Sequence, residues 1–182
     1  MTGQQLIISG VGGQGILFLT RILAETAISL GMPVMTSETH GMAQRGGVVI
    51  SHLKAGEFPS PLVRPGRADG LIAMKEENVA IHRHFLRPGG WVVVNAKDAP
   101  TGLDGHPVHV IDADALSLEL GNPQSLNLIL LGFALARLAA SGNLFCTVEQ
   151  VIGTIERRLA EKGKLRDSSL MALRLGMENA AG

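Results

Sequence analysis

A short apolar run, Gln5-Leu6-Ile7-Ile8-Ser9, leads directly into Gly10-Val11-Gly12-Gly13-Gln14-Gly15, and the apolar stretch Ile16 to Leu23 follows at once. No other part of the chain constrains the fold as strongly. The run reads as a buried strand, the glycines as a tight turn, and the stretch after them as a helix laid on a sheet. Gly10, Gly12 and Gly15 match the G-x-G-x-x-G spacing in its strand–turn–helix setting. In such a turn, backbone N–H groups gather at the positive end of the helix, where a phosphate or carboxylate is favoured. Two readings stand at this point: an anion or nucleotide cradle, or a tight turn whose glycines serve packing.

The next segments bear on that choice. Gly31 is expected to end the first helix, and Pro33 to Ser37 reads as a second strand with Glu38 directly after it. An acid at this place holds ribose hydroxyls in dinucleotide-binding folds. The polar, glycine-bearing loop Thr39 to Gly47 then enters a strand over Val48 to Lys54, so close behind its predecessor that an antiparallel or edge excursion is expected. Phe58 to Arg67, with three prolines, reads as an extended loop. A strand over Asp69 to Met74, a short helix over Glu76 to Phe85, a turn at Pro88-Gly89-Gly90, and strands over Trp91 to Asn95 and Val108 to Ile111 follow. Asp112 and Asp114 can cap the short helix after the last strand.

From Asn122-Pro123 onward the chain reads as helical. The helix over 124–141 is apolar on nearly all faces and must be covered all round, by the sheet and by something else; it is the candidate for a subunit contact. Thr147-Val148-Glu149-Gln150 is a capping-box pattern opening an amphipathic helix, and Asp167 is expected to cap a last helix through Met177. The alternation gives an α/β fold: a single domain over 1–182, three-layered and Rossmann-like, with a mostly parallel sheet and a C-terminal helical segment.

Charge narrows the partners. Sixteen basic residues balance sixteen acidic ones, so neither nucleic acid nor an anionic membrane surface is expected as the main partner, and association is favoured over a free monomer. The single cysteine, Cys146, excludes an internal disulfide framework and any self-sufficient iron–sulfur or cysteine-based zinc site. No signal peptide precedes the first strand, and the apolar run Leu126 to Ala140 is short of a membrane span, so the expected location is cytoplasmic.

Gly10 to Ile16 together with Glu38-Thr39-His40-Gly41-Met42-Ala43-Gln44-Arg45-Gly46-Gly47 resembles the gamma subunit or gamma domain of 2-oxoacid:ferredoxin oxidoreductases of the pyruvate and ketoisovalerate type. Within that group it is especially similar to the small beta subunit of indolepyruvate ferredoxin oxidoreductase. The second segment is the more specific, because an Arg-Gly-Gly entering a strand straight after a polar loop is unusual for Rossmann enzymes. The Asp-x-Leu-Ile strand (69–72) and the helix at 127–132 agree as well, and the resemblance covers essentially the whole chain. Asp167 departs from it, standing where Asn is expected.

The resemblance implies a subunit of an enzyme that oxidatively decarboxylates a 2-oxoacid to acyl-CoA and passes electrons to ferredoxin. Thiamine diphosphate, magnesium and iron–sulfur clusters are then expected on the catalytic partner subunits, none of them on this chain alone, with CoA as a co-substrate that the chain helps to receive. The chain has neither a Gly-Asp-Gly diphosphate–magnesium motif nor a cysteine set, in keeping with that division. The alternatives are a stand-alone nucleotide- or NAD(P)-binding Rossmann-like protein and a pure interaction scaffold. A homodimer of the isolated chain is a further expectation.

The binding candidates are Gly10, Gly12, Gly13, Gln14, Gly15, Glu38, His40, Gln44 and Arg45. Arg45 can clamp a carboxylate or phosphate through two N–H groups, or pair with Glu38 or an acid on another subunit. His40 is the histidine best placed for chemistry, though without a nucleophile or acid set beside it. His82 and His84 stand two apart in a helix and do not share a face, and His106 and His109 give no metal-ligand spacing. No catalytic residue is identified.

Overall fold

The computed structural model describes residues 3–40, 46–139 and 141–181. Six strands form one sheet: β1 (Gln4–Val11), β2 (Val34–His40), β3 (Val48–Ala55), β4 (Ala68–Ala73), β5 (Leu86–Asn95) and β6 (Val108–Ile111), in the order β2-β3-β1-β4-β5-β6. β4, β5 and β6 run parallel to β1, while β3 is antiparallel to both of its neighbours. The early strand after the polar loop is thus antiparallel, as its short connection requires. It is not at an edge: β3 lies between β2 and β1, and β2 takes the edge.

The two faces of the sheet are covered unequally. On one face lie α1 (Ile16–Ser29) and α4 (Leu126–Leu138), whose Leu19, Ile22, Leu23, Ile129, Leu130 and Phe133 pack against Leu6, Ile8, Leu53, Ile72 and Val93. Among the described residues, the other face has only α2 (Glu76–His82), a 3₁₀ turn at Arg83–Phe85 and the connections around Val63 and Leu103, which cover Ile7, Leu71, Ala73, Val92 and Val94. β1 and β4 send their following helices to opposite faces. The ends of these two neighbouring strands therefore open a crevice where ligands bind in open α/β sheets.

The apolar helix α4 is not left for another subunit. Its residues Leu126 through Leu135 are all buried, with the sheet on one side and α6 (Gly163–Glu178) on the other. The α4–α6 crossing is close enough that a Cβ on Gly132 would strike the Leu173 carbonyl, and one on Gly176 the Ile129 carbonyl. α6 supplies the cover that an all-round apolar helix demands. α5 (Val148–Arg158), packed against α1 and α6, opens with the Thr147/Gln150 capping box, both reciprocal bonds present.

Several local expectations change. Pro88-Gly89-Gly90 lies inside β5, where the register with β4 jumps between Ala68 and Gly70, so the segment bulges out of a strand already begun. Asn122 and Pro123 open a 3₁₀ turn, and α4 starts only at Leu126, without a side-chain cap from Asn122. Asp167 sits within α6, paired with its neighbour Arg166 rather than capping the helix. Asp112 does cap α3 (Ala113–Glu119), accepting from Ala115 N–H, whereas Asp114 accepts from Asn95.

Candidate functional site

The glycine loop stands at the C-terminal end of β1, at the crevice. Gln14 folds back into it: its Oε1 accepts from Val11 N–H at 2.8 Å and its Nε2 donates to Met74 C=O at 3.3 Å. Gly12 N–H donates to Gly47 C=O at 2.9 Å, and Gln14 N–H to Val11 C=O at 3.1 Å. Half of the loop is therefore closed on itself and on the entry to β3. The other half is open. Gly13 and Gly15 have φ of 101° and 78°, and the N–H groups of Ile16, Leu17 and Phe18, the first turn of α1, have no acceptor among the described residues. A cleft of about 360 Å³ lined by Gly12, Gly13, Gly15, Ile16, Leu17 and Val49 adjoins them. Free N–H groups at a helix start favour a negative ligand group.

Three buried asparagines hold this end of the sheet together, and sequence reasoning singled out none of them as part of the site. Asn78, on α2, donates to both Ser9 Oγ (2.7 Å) and Gly10 C=O (3.0 Å), while Ser9 Oγ donates to Val49 C=O. Asn95, at the end of β5, donates to Met74 C=O and Asp114 and accepts from the N–H groups of Ala113 and Asp114. Asn127, on α4, donates to Gly15 C=O at 3.2 Å and accepts from Leu128 N–H. A buried amide is tolerable only when so bonded. Their sequence signal was slight: a lone Asn in an otherwise helical or strand pattern.

The remaining candidates separate. Glu38 is exposed on β2 and borders a groove of about 420 Å³ with Thr20, Arg21, Ala24, Thr36 and Ser37. In a dinucleotide-binding fold the acid-bearing strand lies beside β1, but here antiparallel β3 stands between them, roughly 10 Å across two strand spacings. Glu38 and the glycine loop do not share the ribose-and-phosphate arrangement of that fold. His40 ends β2. Met42, Gln44 and Arg45 lie outside the described residues.

The other titratable groups are set apart from the loop. Burial and the neighbouring His84 and His52 depress His82 to about 4, and its Nε2 has no hydrogen-bonding partner among the described residues. His52 Nδ1 accepts from Val63 N–H, and burial beside Lys54 lowers its affinity for a proton. Cys146 is buried and its thiol is pushed up to about 12 by desolvation, so it is a core residue. One buried thiol does not fit an iron–sulfur cluster, and among the described residues no three His, Cys, Asp or Glu side chains gather as metal ligands. No described helix is long and apolar enough to cross a membrane.

Known proteins can be set beside this geometry. Indolepyruvate oxidoreductase subunit IorB of Archaeoglobus fulgidus is 29% identical, the match covering 96% of this chain and 94% of that protein. The keto/oxoacid ferredoxin oxidoreductase gamma subunit of Geobacter sulfurreducens superposes with a TM-score of 0.76 at 22% identity, over 97% of this chain and 98% of that one. The 2-oxoglutarate:ferredoxin oxidoreductase of Magnetococcus marinus, solved with 2-oxoglutarate, coenzyme A and succinyl-CoA, superposes with a TM-score of 0.81 at 19% identity; 99% of this chain corresponds to 31% of that one. The two superpositions are likenesses of fold. The family model for pyruvate ferredoxin/flavodoxin oxidoreductase matches residues 5–179, and the chain belongs to that family.

Proposed function

We propose that this chain is the gamma-type subunit of a 2-oxoacid:ferredoxin oxidoreductase, with indolepyruvate as the favoured substrate. One observation carries the reading: the family match runs over residues 5–179, and IorB, an indolepyruvate oxidoreductase subunit, has nearly the same extent as this chain. With one buried cysteine these residues offer no ligand set for an iron–sulfur cluster, and in this reading the electron-transfer chemistry lies on a partner. The partner subunit holds thiamine diphosphate, magnesium and the iron–sulfur clusters, and passes electrons to ferredoxin. This chain is a cytoplasmic single domain that completes the active site by assembly.

The glycine loop is its contribution to that site. The open N–H groups of Ile16, Leu17 and Phe18 receive an anionic group of the substrate complex, a phosphate of CoA by this reading, and Arg45 and Gln44 supply further donors. The coenzyme A bound by the Magnetococcus marinus protein supports that choice of ligand. Away from its partner, the chain self-associates, as its zero formal charge favours.

A pull-down from native extract, with mass spectrometry and iron and thiamine assays on the captured material, tests the assignment. A large thiamine- and iron-bearing polypeptide should come with the chain. A chain that emerges alone, without iron or thiamine, overturns it.

A further inference from the structure

The two edges of the sheet are built differently. β6 is four residues long, whereas β2 has seven, in unbroken register with β3 from Val34↔Ala55 to His40↔Val49. The outer side of β2 pairs with no described strand. Such an edge presents a row of free N–H and C=O groups, which proteins ordinarily blunt with charged side chains, proline or a bulge. β2 has no proline, lysine or bulge, and Glu38 is its one acidic or basic (Lys/Arg) side chain. Beside it runs the groove between α1 and β2, where Arg21 and Glu38 are both exposed. Among the described residues neither has a hydrogen-bonding or ionic partner, so a bare strand edge is flanked by one unpaired cation and one unpaired anion.

We infer that β2 is the interface of a two-fold homodimer, in which the β2 strands of two copies pair antiparallel about Ser37 and Arg21 of each copy meets Glu38 of the other. This names the surface for the self-association proposed above and does not depend on the identity of the catalytic partner. A second copy is the occupant because the features are self-complementary. A two-fold contact requires that residue i meet j while j meets i, and one groove here supplies both signs of charge.

The register follows from the side chains. Centring on Ser37 sets Thr36 opposite Glu38, Met35 opposite Thr39 and Val34 opposite His40, with the small Ser37 meeting itself at the axis. Centring on Glu38 would set two carboxylates against each other, which is destabilising. In the Ser37 register, the second copy's Glu38 stands beyond Thr36 on the face that α1 covers, where Arg21 lines the groove. Two ion pairs related by the axis then flank a sheet running through both copies, and no edge longer than β6 is left bare.

Sedimentation equilibrium on the full chain at tens of micromolar tests the interface, with circular dichroism confirming that each variant is folded. The wild-type chain should be a dimer. Arg21→Glu and Glu38→Arg should each weaken it by about tenfold or more, because each sets like charges together. The double variant should recover the wild-type constant. Ser37→Lys, which opposes two ammonium groups at the axis, should give a monomer. A wild-type monomer overturns both the self-association and its surface, including the case where a strand of the catalytic subunit takes this edge. A dimer indifferent to every variant overturns the surface alone. Neither result bears on the catalytic-partner assignment, which the pull-down reads separately.

Discussion

Where α4 crosses α6, Gly132 and Gly176 let two helix backbones touch, each with its missing Cβ aimed at a carbonyl of the other helix. At the end of β1, Gly13 and Gly15 turn the chain through positive φ and keep N–H groups uncovered. Both regions use glycine, for opposite ends: one closes a dry contact, the other holds polar backbone groups open. The first is purely a matter of packing, so its tolerance to change is set by sterics. The second is held from behind by Asn78, Gln14 and Asn127, so its tolerance is set by hydrogen bonds. The closed region should govern stability, and the open one should govern association and ligand binding.

Gly176→Ala should destabilise the chain by about 3 kcal/mol, because the new methyl meets the Ile129 carbonyl, a rigid helix backbone. Urea denaturation measures this. A loss below about 1 kcal/mol would show that the helices can separate freely, against the close packing described.

Asn78→Ala should come next, at about 2 kcal/mol, since Gly10 C=O and Ser9 Oγ lose a buried donor. Hydrogen exchange should rise in residues 10–15 while α4 stays protected. Uniform loss of protection would remove the distinction between the two regions.

The thin face of the sheet adds a pH dependence that neither glycine region shares. His82 lies in it with its affinity for protons depressed from 6.5 to about 4, so below pH 6.5 the unfolded chain binds more protons than the folded one. Stability is therefore full above that value and falls as the pH drops towards about 4. Between pH 7.5 and 5.5 the loss should be about 1.3 kcal/mol, and His82→Gln should flatten it. An unchanged slope in that variant would assign the acid sensitivity to other groups.

The smallest effect on stability belongs to Gly13. A Cβ there meets nothing within 4 Å, so Gly13→Ala carries only the strain of its positive φ, about 1 kcal/mol. In the assembled enzyme, CoA titration should nonetheless show weakened binding, because the methyl stands at the open half of the loop. Unaltered CoA affinity in a complex that still assembles would leave the loop a subunit contact rather than a ligand cradle.

Much of the architecture could be read from local pattern. The β1–glycine–α1 unit, the Pro-rich connection, the buried strands around Leu71 and Val93 and the Thr147 capping box all rest on neighbours within a few residues, where period, turn chemistry and capping decide. The antiparallel sense of β3 was legible from its short approach. Its insertion between β2 and β1 was not, because pairing order depends on which strand edges meet across the sheet, and that order is what separates Glu38 from the glycine loop.

What the amino-acid sequence determined by itself was the class of fold, the glycine turn at a helix start, and the need to cover α4 on every side. The tertiary structure alone decided that α6 provides that cover, that Asn78, Asn95 and Asn127 converge behind the loop, and that β2 is left as the bare edge. Hydrophobic period and turn chemistry act over a handful of residues and are written locally. Helix crossings, amide networks and strand order join residues far apart in the chain, 112 positions in the case of Asn127 and Gly15, and exist only once the chain has packed.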